Sequence, residues 1–244
     1  LYWLYSMTIE LQLPLGINDI DLRSWQKFAK LTEDNADAEN DFLEIKMLEI
    51  FCGLKYKDIH TLPLGTFNEA TEYLGEVFNT HCPLTNRFTL VGTDGVEVEF
   101  GFIPNLDKMT MGEYIDLNNY FGETETLHKA MAVLFRPIHK SYKDRESYRI
   151  DSYKGADLYS DILLDMPLGI ALGAKVFFYR LGIKLSKAIL NSILHLEMSE
   201  EVKLSVEEKK SLIANTAGIK NSMLLLEDKL LELTKRQTFQ SMRL

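Results

Sequence analysis

Cysteine and histidine are the residues of this chain that could supply a nucleophile or a general base. The chain contains two cysteines, Cys52 and Cys82. The base that activates a cysteine has to meet it only in the folded protein, so sequence distance does not identify it. Cys52 lies on the apolar side of a predicted helix, which indicates a small buried hydrophobic residue. Cys82 precedes Pro83 in a predicted loop and is the better thiol candidate, although no neighbour in the sequence would lower its pKa.

The histidines lack the spacing of a metal site. None is placed four residues from another histidine or a cysteine, as a zinc-binding helix requires. No G-x-S-x-G, G-x-x-x-x-G-K-[ST] or G-x-G-x-x-G motif occurs, so common signatures of hydrolases, P-loop proteins and dinucleotide-binding enzymes are missing. The sequence therefore predicts no catalytic residue, no metal and no cofactor. The five histidines are His60, His81, His128, His139 and His195.

The composition is that of a globular protein with an acidic surface. Of the 244 residues, 46% are hydrophobic and 26% are charged, and the net charge is −9. This charge argues against general binding to nucleic acid or to an anionic membrane. The most apolar stretch, Met166–Leu196, contains four basic residues, so it predicts a buried amphipathic helix and no membrane span.

The first part of the chain is predicted to form helices, which would position these cysteines and histidines. The apolar residues of Asp21–Leu31 have helical spacing. So do those of the acidic segment Glu33–Glu49, whose carboxylates would lie at a helix start and whose stop would be Gly53. Thr66–Glu69 has the spacing of a capping box, which predicts a helix that ends at about Phe78.

A β-hairpin is predicted in the middle of the chain. The segment Arg87–Phe102 alternates and is rich in β-branched and aromatic residues, and Asp94-Gly95 is a hairpin turn signal. After the hairpin, Thr126–Phe135 predicts a short apolar helix that is stopped by Pro137.

Two long helices are predicted toward the C-terminus. Asp165-Met166-Pro167 is typical of an N-cap with proline in the first turn and opens a helix of about 30 residues, in which Gly169 and Gly173 favour close helix packing. Ser205–Glu208 forms a capping box for the last helix, which would pack back as a hairpin or reach toward a partner. The layout predicts an α+β chain, mostly α, that is either one domain or an α+β domain (7–150) followed by a helical region (151–244).

Two segments of the first part are candidate contact surfaces. The segment after the hairpin combines methionine with aromatic residues, which suit both core filling and adaptable contacts; its candidates are Met109, Met111, Tyr114, Tyr120 and Phe121. The segment 136–149 is basic but short and mixed in charge. A solvated loop or a docking surface is therefore favoured over a nucleic-acid patch, and its candidates are Arg136, Lys140, Tyr142 and Arg145.

A third candidate surface lies on the first long helix. Basic residues at spacings of 4 and 3 share one face. They form either the solvated side of an amphipathic helix, which is favoured, or a contact with the acidic segment Glu33–Glu49 of a neighbouring copy. The three residues are Arg180, Lys184 and Lys187.

Three strings in the sequence resemble proteins encoded among the virion and tail-assembly genes of tailed bacteriophages. They read FGFIPNLDKMTMGEYIDLNNY, LHKAMAVLFRPI and DMPLGIALGAKVFFYRLG, and the resemblance covers about Trp25–Leu190. The acidic front helices with the Leu-Pro-Leu turn at 62–64 are also similar in style to tail assembly chaperones, which hold the tape-measure protein soluble. The resemblance implies a place in virion assembly and assigns no chemistry to any residue.

The resemblance and the missing catalytic motifs together predict a non-enzymatic bacteriophage structural protein. It would belong to the tail, neck or a capsid-associated assembly and would contact other phage structural proteins and copies of itself. One alternative is a tail assembly chaperone that binds an apolar, tape-measure-like client and is absent from the mature virion. A second alternative is an enzyme, thiol-dependent in its main version, that uses Cys82 or a histidine. The expected location is the virion, or the host cytoplasm during assembly.

Overall fold

The computed structural model describes residues 11–37, 40–92, 95–141, 147–198 and 206–236. They form an α+β fold that is mostly α, as the sequence predicts. In chain order the elements are α1 (Leu22–Asp34), α2 (Asn40–Phe51), α3 (Tyr56–Ile59), α4 (Leu64–Phe78), β1 (Arg87–Val91), β2 (Glu97–Phe102), α5 (Met111–Phe121), α6 (Leu127–Leu134), β3 (Phe135–Ser141), β4 (Tyr148–Ile150), α7 (Ser160–Leu163), α8 (Leu168–Met198) and α9 (Val206–Arg236).

The front helices form where the apolar spacing predicts them, but their ends differ from the prediction. Asp21 caps α1 by accepting a hydrogen bond from the Ser24 amide, at 2.6 Å. The prediction that the acidic residues lie at a helix start is wrong for Glu33 and Asp34, which belong to the last turn of α1, and confirmed for Asp41, which lies in the first turn of α2. The stop after α2 is confirmed, since Gly53 has a φ of 66°.

Helix α4 ends at Phe78 as predicted but begins earlier than its capping-box motif indicates. Its first residue is Leu64, directly after Pro63, and no side chain caps it. Thr66 and Glu69 therefore lie inside the helix, and the capping-box prediction at these residues is wrong. Proline supplies the start instead, because it fixes its own φ and has no amide hydrogen to leave unsatisfied.

The sheet contains four antiparallel strands in the order β1-β2-β3-β4. The predicted hairpin is confirmed as β1 and β2, with Gly95 at a φ of 77°. The expectation of a single hairpin is wrong, because the chain passes from α6 directly into β3 at Phe135 and returns as β4. Pro137 does follow the end of α6, yet it lies inside β3 and pairs with Phe100 of β2.

One buried cluster joins residues from both sides of position 150. It includes Leu22, Leu74 and Phe100 from the first part and Leu163 and Leu168 from the second. The start of α1 is tied to the start of α8 through backbone hydrogen bonds. The Leu22 amide donates to the Met166 carbonyl at 2.9 Å, and the Leu168 amide donates to the Ile20 carbonyl at 2.8 Å. Packing thus links the two predicted parts through a common core.

Helix α8 packs closely because of its glycines, as predicted. A Cβ atom on Gly169 would lie 2.4 Å from the Asn18 Oδ1 atom, and one on Gly173 would lie 2.3 Å from the Pro83 carbonyl oxygen. Real Cβ atoms do not approach so closely, so larger residues at these positions would push the helix away from its neighbours.

Helices α8 and α9 form the predicted C-terminal pair. A Cβ atom on Gly182 would lie 2.9 Å from Leu226, and the Lys187 ammonium lies 3.1 Å from the Glu227 carboxylate. Helix α9 therefore packs back on α8, while part of its predicted capping box lies outside the described residues. None of the helices in the described ranges is apolar over a length that could cross a membrane.

Candidate functional site

A buried ion pair joins the first turn of α5 to β3. The Arg136 guanidinium lies 2.7 Å from the Glu113 Oε1 atom, and both side chains are almost completely buried. Glu113 is held by α5 itself, because its Oε2 atom accepts from the Thr110 amide at 2.6 Å while the Thr110 hydroxyl accepts from the Glu113 amide at 3.2 Å. This reciprocal capping box fixes the carboxylate before it meets the arginine.

The surroundings of Arg136 continue this polar cluster. The guanidinium carbon lies 5.7 Å from the centre of the Tyr153 ring, within the range of a cation–π contact. The Tyr153 hydroxyl donates to the Asp116 carboxylate, and burial together with this carboxylate raises the tyrosine pKa. Among the described residues, the Nε atom of Arg136 has no hydrogen-bond partner. Arg136 is thus a buried structural cation, and its predicted place in a solvated segment is wrong.

A cleft of about 720 Å³ opens beside this ion pair, between the start of α5 and strands β3 and β4. Basic side chains from both sides line it, namely Lys108, Arg136, His139 and Arg149. Its two carboxylates are Glu113 and Asp151. Part of its wall is apolar and comes from Ile103, Pro104, Met109 and Ile150.

The second carboxylate of the cleft has partners of its own. The Asp151 Oδ1 atom lies 3.4 Å from the Nδ1 atom of His139, and its Oδ2 atom accepts from the Tyr159 hydroxyl at 2.8 Å. Burial and the neighbouring carboxylate raise the pKa of Tyr159, so the tyrosine remains a donor. Both carboxylates of the cleft are therefore engaged by groups of the protein.

Helix α5 has a second apolar face that points to solvent. Its inner face, which includes Leu117 and Phe121, is buried. On the outer face, Met111 is 72% exposed, Tyr114 59% and Ile115 49%. Residues three and four positions apart are neighbours on a helix surface, so these three side chains form one continuous outer stripe. The stripe lies beside the buried face, so the apolar surface of α5 is wider than the part that the core covers.

The structure divides the predicted contact residues of the first segment between surface and core. Met111 and Tyr114 belong to the outer stripe. Met109 is partly buried and lines the cleft. Tyr120 is half-buried beneath the Lys129 ammonium, which lies 5.8 Å from its ring centre. Phe121 is buried, with its ring centre 5.4 Å from that of Phe178, so it is not available for an outside contact.

The basic candidates lie on separate surfaces. Lys140 is exposed on β3, whereas Tyr142 and Arg145 lie outside the described residues. On α8, Arg180 and Lys184 are exposed, and Lys187 is exposed but paired with Glu227. A contact between this face and the acidic segment of another copy stays a prediction.

The two thiols are in surroundings that suppress their reactivity. Cys82 is 5% exposed, and its Sγ atom lies 3.4 Å from the Thr80 carbonyl oxygen as a weak donor. Burial raises its pKa. Burial also raises the pKa of Cys52 to about 11. A thiol acts as a nucleophile when deprotonated, so neither environment activates it. Within the described part of the chain, no group of three or more His, Cys, Asp or Glu residues could hold a metal ion.

Sequence reasoning missed several residues of this site. The Thr110–Glu113 capping box has the T-x-x-E signature, which could have identified the start of α5. The outer position of Ile115 follows from that start. Lys108 and Arg149 line the same cleft only because β4 lies beside β3, and no local signal in the sequence marks that strand pairing.

Comparison of the chain with protein families, with curated proteins and with solved structures found no match.

Proposed function

We propose that this protein acts through protein–protein contacts as a structural component of a tailed-bacteriophage particle, in the tail, the neck or a capsid-associated assembly. The observation that carries the contact role is the outer stripe of α5, Met111, Tyr114 and Ile115. Contiguous apolar side chains on a protein surface are typical of an interaction site. The virion context comes from the resemblance of the three sequence strings.

The pair of long helices supports the same role. Leu185 and Ile189 of α8 are about half exposed, and so are Leu224, Leu225 and Leu231 of α9. An isolated helical pair buries one face of each helix against the other and has no need of apolar residues elsewhere. Covering these side chains in an assembly would remove their apolar surface from water, which is favourable.

The test is quantitative mass spectrometry of purified particles, with the copy number set against the major capsid protein. A fixed small copy number is expected for a built-in component of a symmetric assembly. The second arm replaces Met111 and Ile115 by serine in the phage gene, with Leu158→Ser as the matched control, because Leu158 is also exposed but lies outside the stripe. The stripe variant should lower incorporation and the control should not. Absence of the protein from particles would reject the virion role.

A tail assembly chaperone is the second candidate, and the exposed leucines of α8 and α9 favour it. An apolar helical client could pack along such a surface, as amphipathic helices do in hydrophobic grooves. This function predicts abundance in infected cells, co-purification with the tape-measure protein and absence from finished particles. The thiol-dependent alternative has no comparable support, since burial raises the pKa of Cys82.

A further inference from the structure

The cleft beside the buried ion pair retains positive charge after its internal contacts are formed. Arg136 is neutralised by Glu113, and Asp151 is engaged by His139 and Tyr159. The two remaining cations, Lys108 and Arg149, are exposed at the rim, and neither forms an ion pair with any other described residue.

The charge balance of the cleft differs from that of the whole chain. Apart from His139, three permanent cations and two carboxylates line it, which leaves one net positive charge. The chain as a whole has a net charge of −9. Local positive charge in an acidic protein concentrates anions at that place and repels them elsewhere on the surface.

The lining also sets the size and polarity of the ligand. A volume of about 720 Å³ is within the range of small-molecule sites. Ile103, Met109 and Ile150 offer an apolar wall next to the cations. An inorganic anion such as phosphate has no apolar part that could cover this wall, so an anion with an apolar body matches the lining better.

We propose that this cleft binds a small organic monocarboxylate with a compact apolar body. The ligand carboxylate would take its hydrogen bonds from Lys108 and Arg149, while its apolar body would lie against the Ile103, Met109 and Ile150 wall. The Glu113–Arg136 pair holds α5 and β3 at a fixed separation, so the two sides of the cleft are preorganised. Preorganisation lowers the cost of ordering the site on binding.

The test is a titration of the ¹⁵N-labelled full-length chain with phenylacetate at constant ionic strength, followed by NMR. The matched neutral probe is 2-phenylacetamide, which has the same ring without the charge, and inorganic phosphate is the dianion control. Phenylacetate should give saturable shifts at the amides of Lys108, Arg149 and Ile150. The amide probe should bind at least about tenfold more weakly, because a hydrogen bond to a charged group is the stronger kind. Phosphate should also bind at least about tenfold more weakly, because it leaves the apolar wall uncovered.

Two variants locate the binding. Lys108→Gln and Arg149→Gln should each weaken phenylacetate binding by about tenfold, since each removes one charge-assisted hydrogen bond. Lys154→Gln is the control, because Lys154 is an exposed cation that does not line the cleft; it should leave the affinity unchanged. An unaltered spectrum away from the cleft shows that each variant is folded. Equal binding of phenylacetamide, preferential binding of phosphate, or shifts that never saturate and follow surface lysines in general would each overturn the proposal.

Discussion

Replacing Glu113 by glutamine tests how far one ion pair holds α5 against the sheet. Glutamine keeps an oxygen that can accept from the Thr110 amide, so the capping box survives while the charge is lost. At the observed separation of 2.7 Å, the attraction between the two charges is about 6 kcal/mol with an effective dielectric constant of about 20. Part of this loss is offset because folding no longer removes a charged carboxylate from water. Arg136, however, stays buried without its counter-charge. We expect a loss of about 3 kcal/mol in the free energy of unfolding.

The assay is urea unfolding followed by circular dichroism, arranged as a double-mutant cycle. Arg136→Met removes the buried cation, so the variant with both substitutions leaves no unpaired charge and should be less destabilised than the sum of the single variants by about 2 kcal/mol. Arg23→Gln is the matched control, because the Arg23–Asp165 pair, at 2.9 Å, is more than half exposed on both sides. Its loss should cost less than about 1 kcal/mol.

The reasoning would be refuted by a Glu113→Gln cost below about 1 kcal/mol together with a coupling energy near zero. That result would mean that solvent in the adjacent cleft screens the pair as effectively as water screens the exposed Arg23 pair. A change in the urea m-value would indicate instead that the variant alters the compactness of the native or the unfolded state. The stabilities of the variants would then be compared through their unfolding rates.

Three further predictions follow from single side chains. Gly173→Ala should cost about 1–3 kcal/mol of stability, because its Cβ atom would meet a backbone oxygen at 2.3 Å; Gly218→Ala, whose Cβ atom meets nothing within 4 Å, should stabilise by up to about 1 kcal/mol, and equal urea midpoints would contradict this. Burial, followed by the Lys129 charge, lowers the pKa of His128. The unfolded state then binds more protons, so stability should fall as pH drops below about 6.5, and His128→Gln should remove that part of the pH dependence in urea titrations. Cys82 should react with iodoacetamide at pH 8 much more slowly in the folded than in the urea-unfolded chain, as followed by mass spectrometry; equal rates would restore it as a thiol candidate.

Local patterns in the sequence account for the elements that were predicted correctly. The signals that predicted these elements lie within short stretches of sequence. They are the alternation on either side of Gly95, the apolar spacing of α1 and the proline before α8. Local propensity and turn chemistry act over a few residues, so a single sequence is enough to read them. The close packing at Gly169 and Gly173 could also be predicted from the sequence, because glycine destabilises a helix interior and usually occurs there to allow close packing.

The site was harder to predict because its parts are distant in the sequence. Pro137 is a strong stop signal for a helix, yet Phe135–Ser141 becomes a strand because Phe100 and Phe102 of β2 offer an edge to pair with. Proline is unusual inside a sheet, so the local signal pointed the other way. Arg136 is then drawn into the interior, where Glu113 is already fixed by Thr110. The sequence predicted only part of the outer stripe of α5. The buried and exposed faces of a helix can be assigned only when its first residue is known, and the start of α5 was not predicted.

The pairing of the start of α1 with the start of α8 has a consequence for the time course of synthesis. Arg23 and Asp165 are separated by 142 positions in the chain, and the neighbouring backbone hydrogen bonds span a similar distance. A ribosome that adds about 5–20 residues per second needs roughly 7–28 s to make that stretch. Throughout this interval Leu22, which is buried in the finished fold, lacks the Met166 segment to which its amide is bonded. The nascent chain therefore presents part of the apolar face of α1 for many seconds, and synthesis of the start of α8 ends that exposure to aggregation.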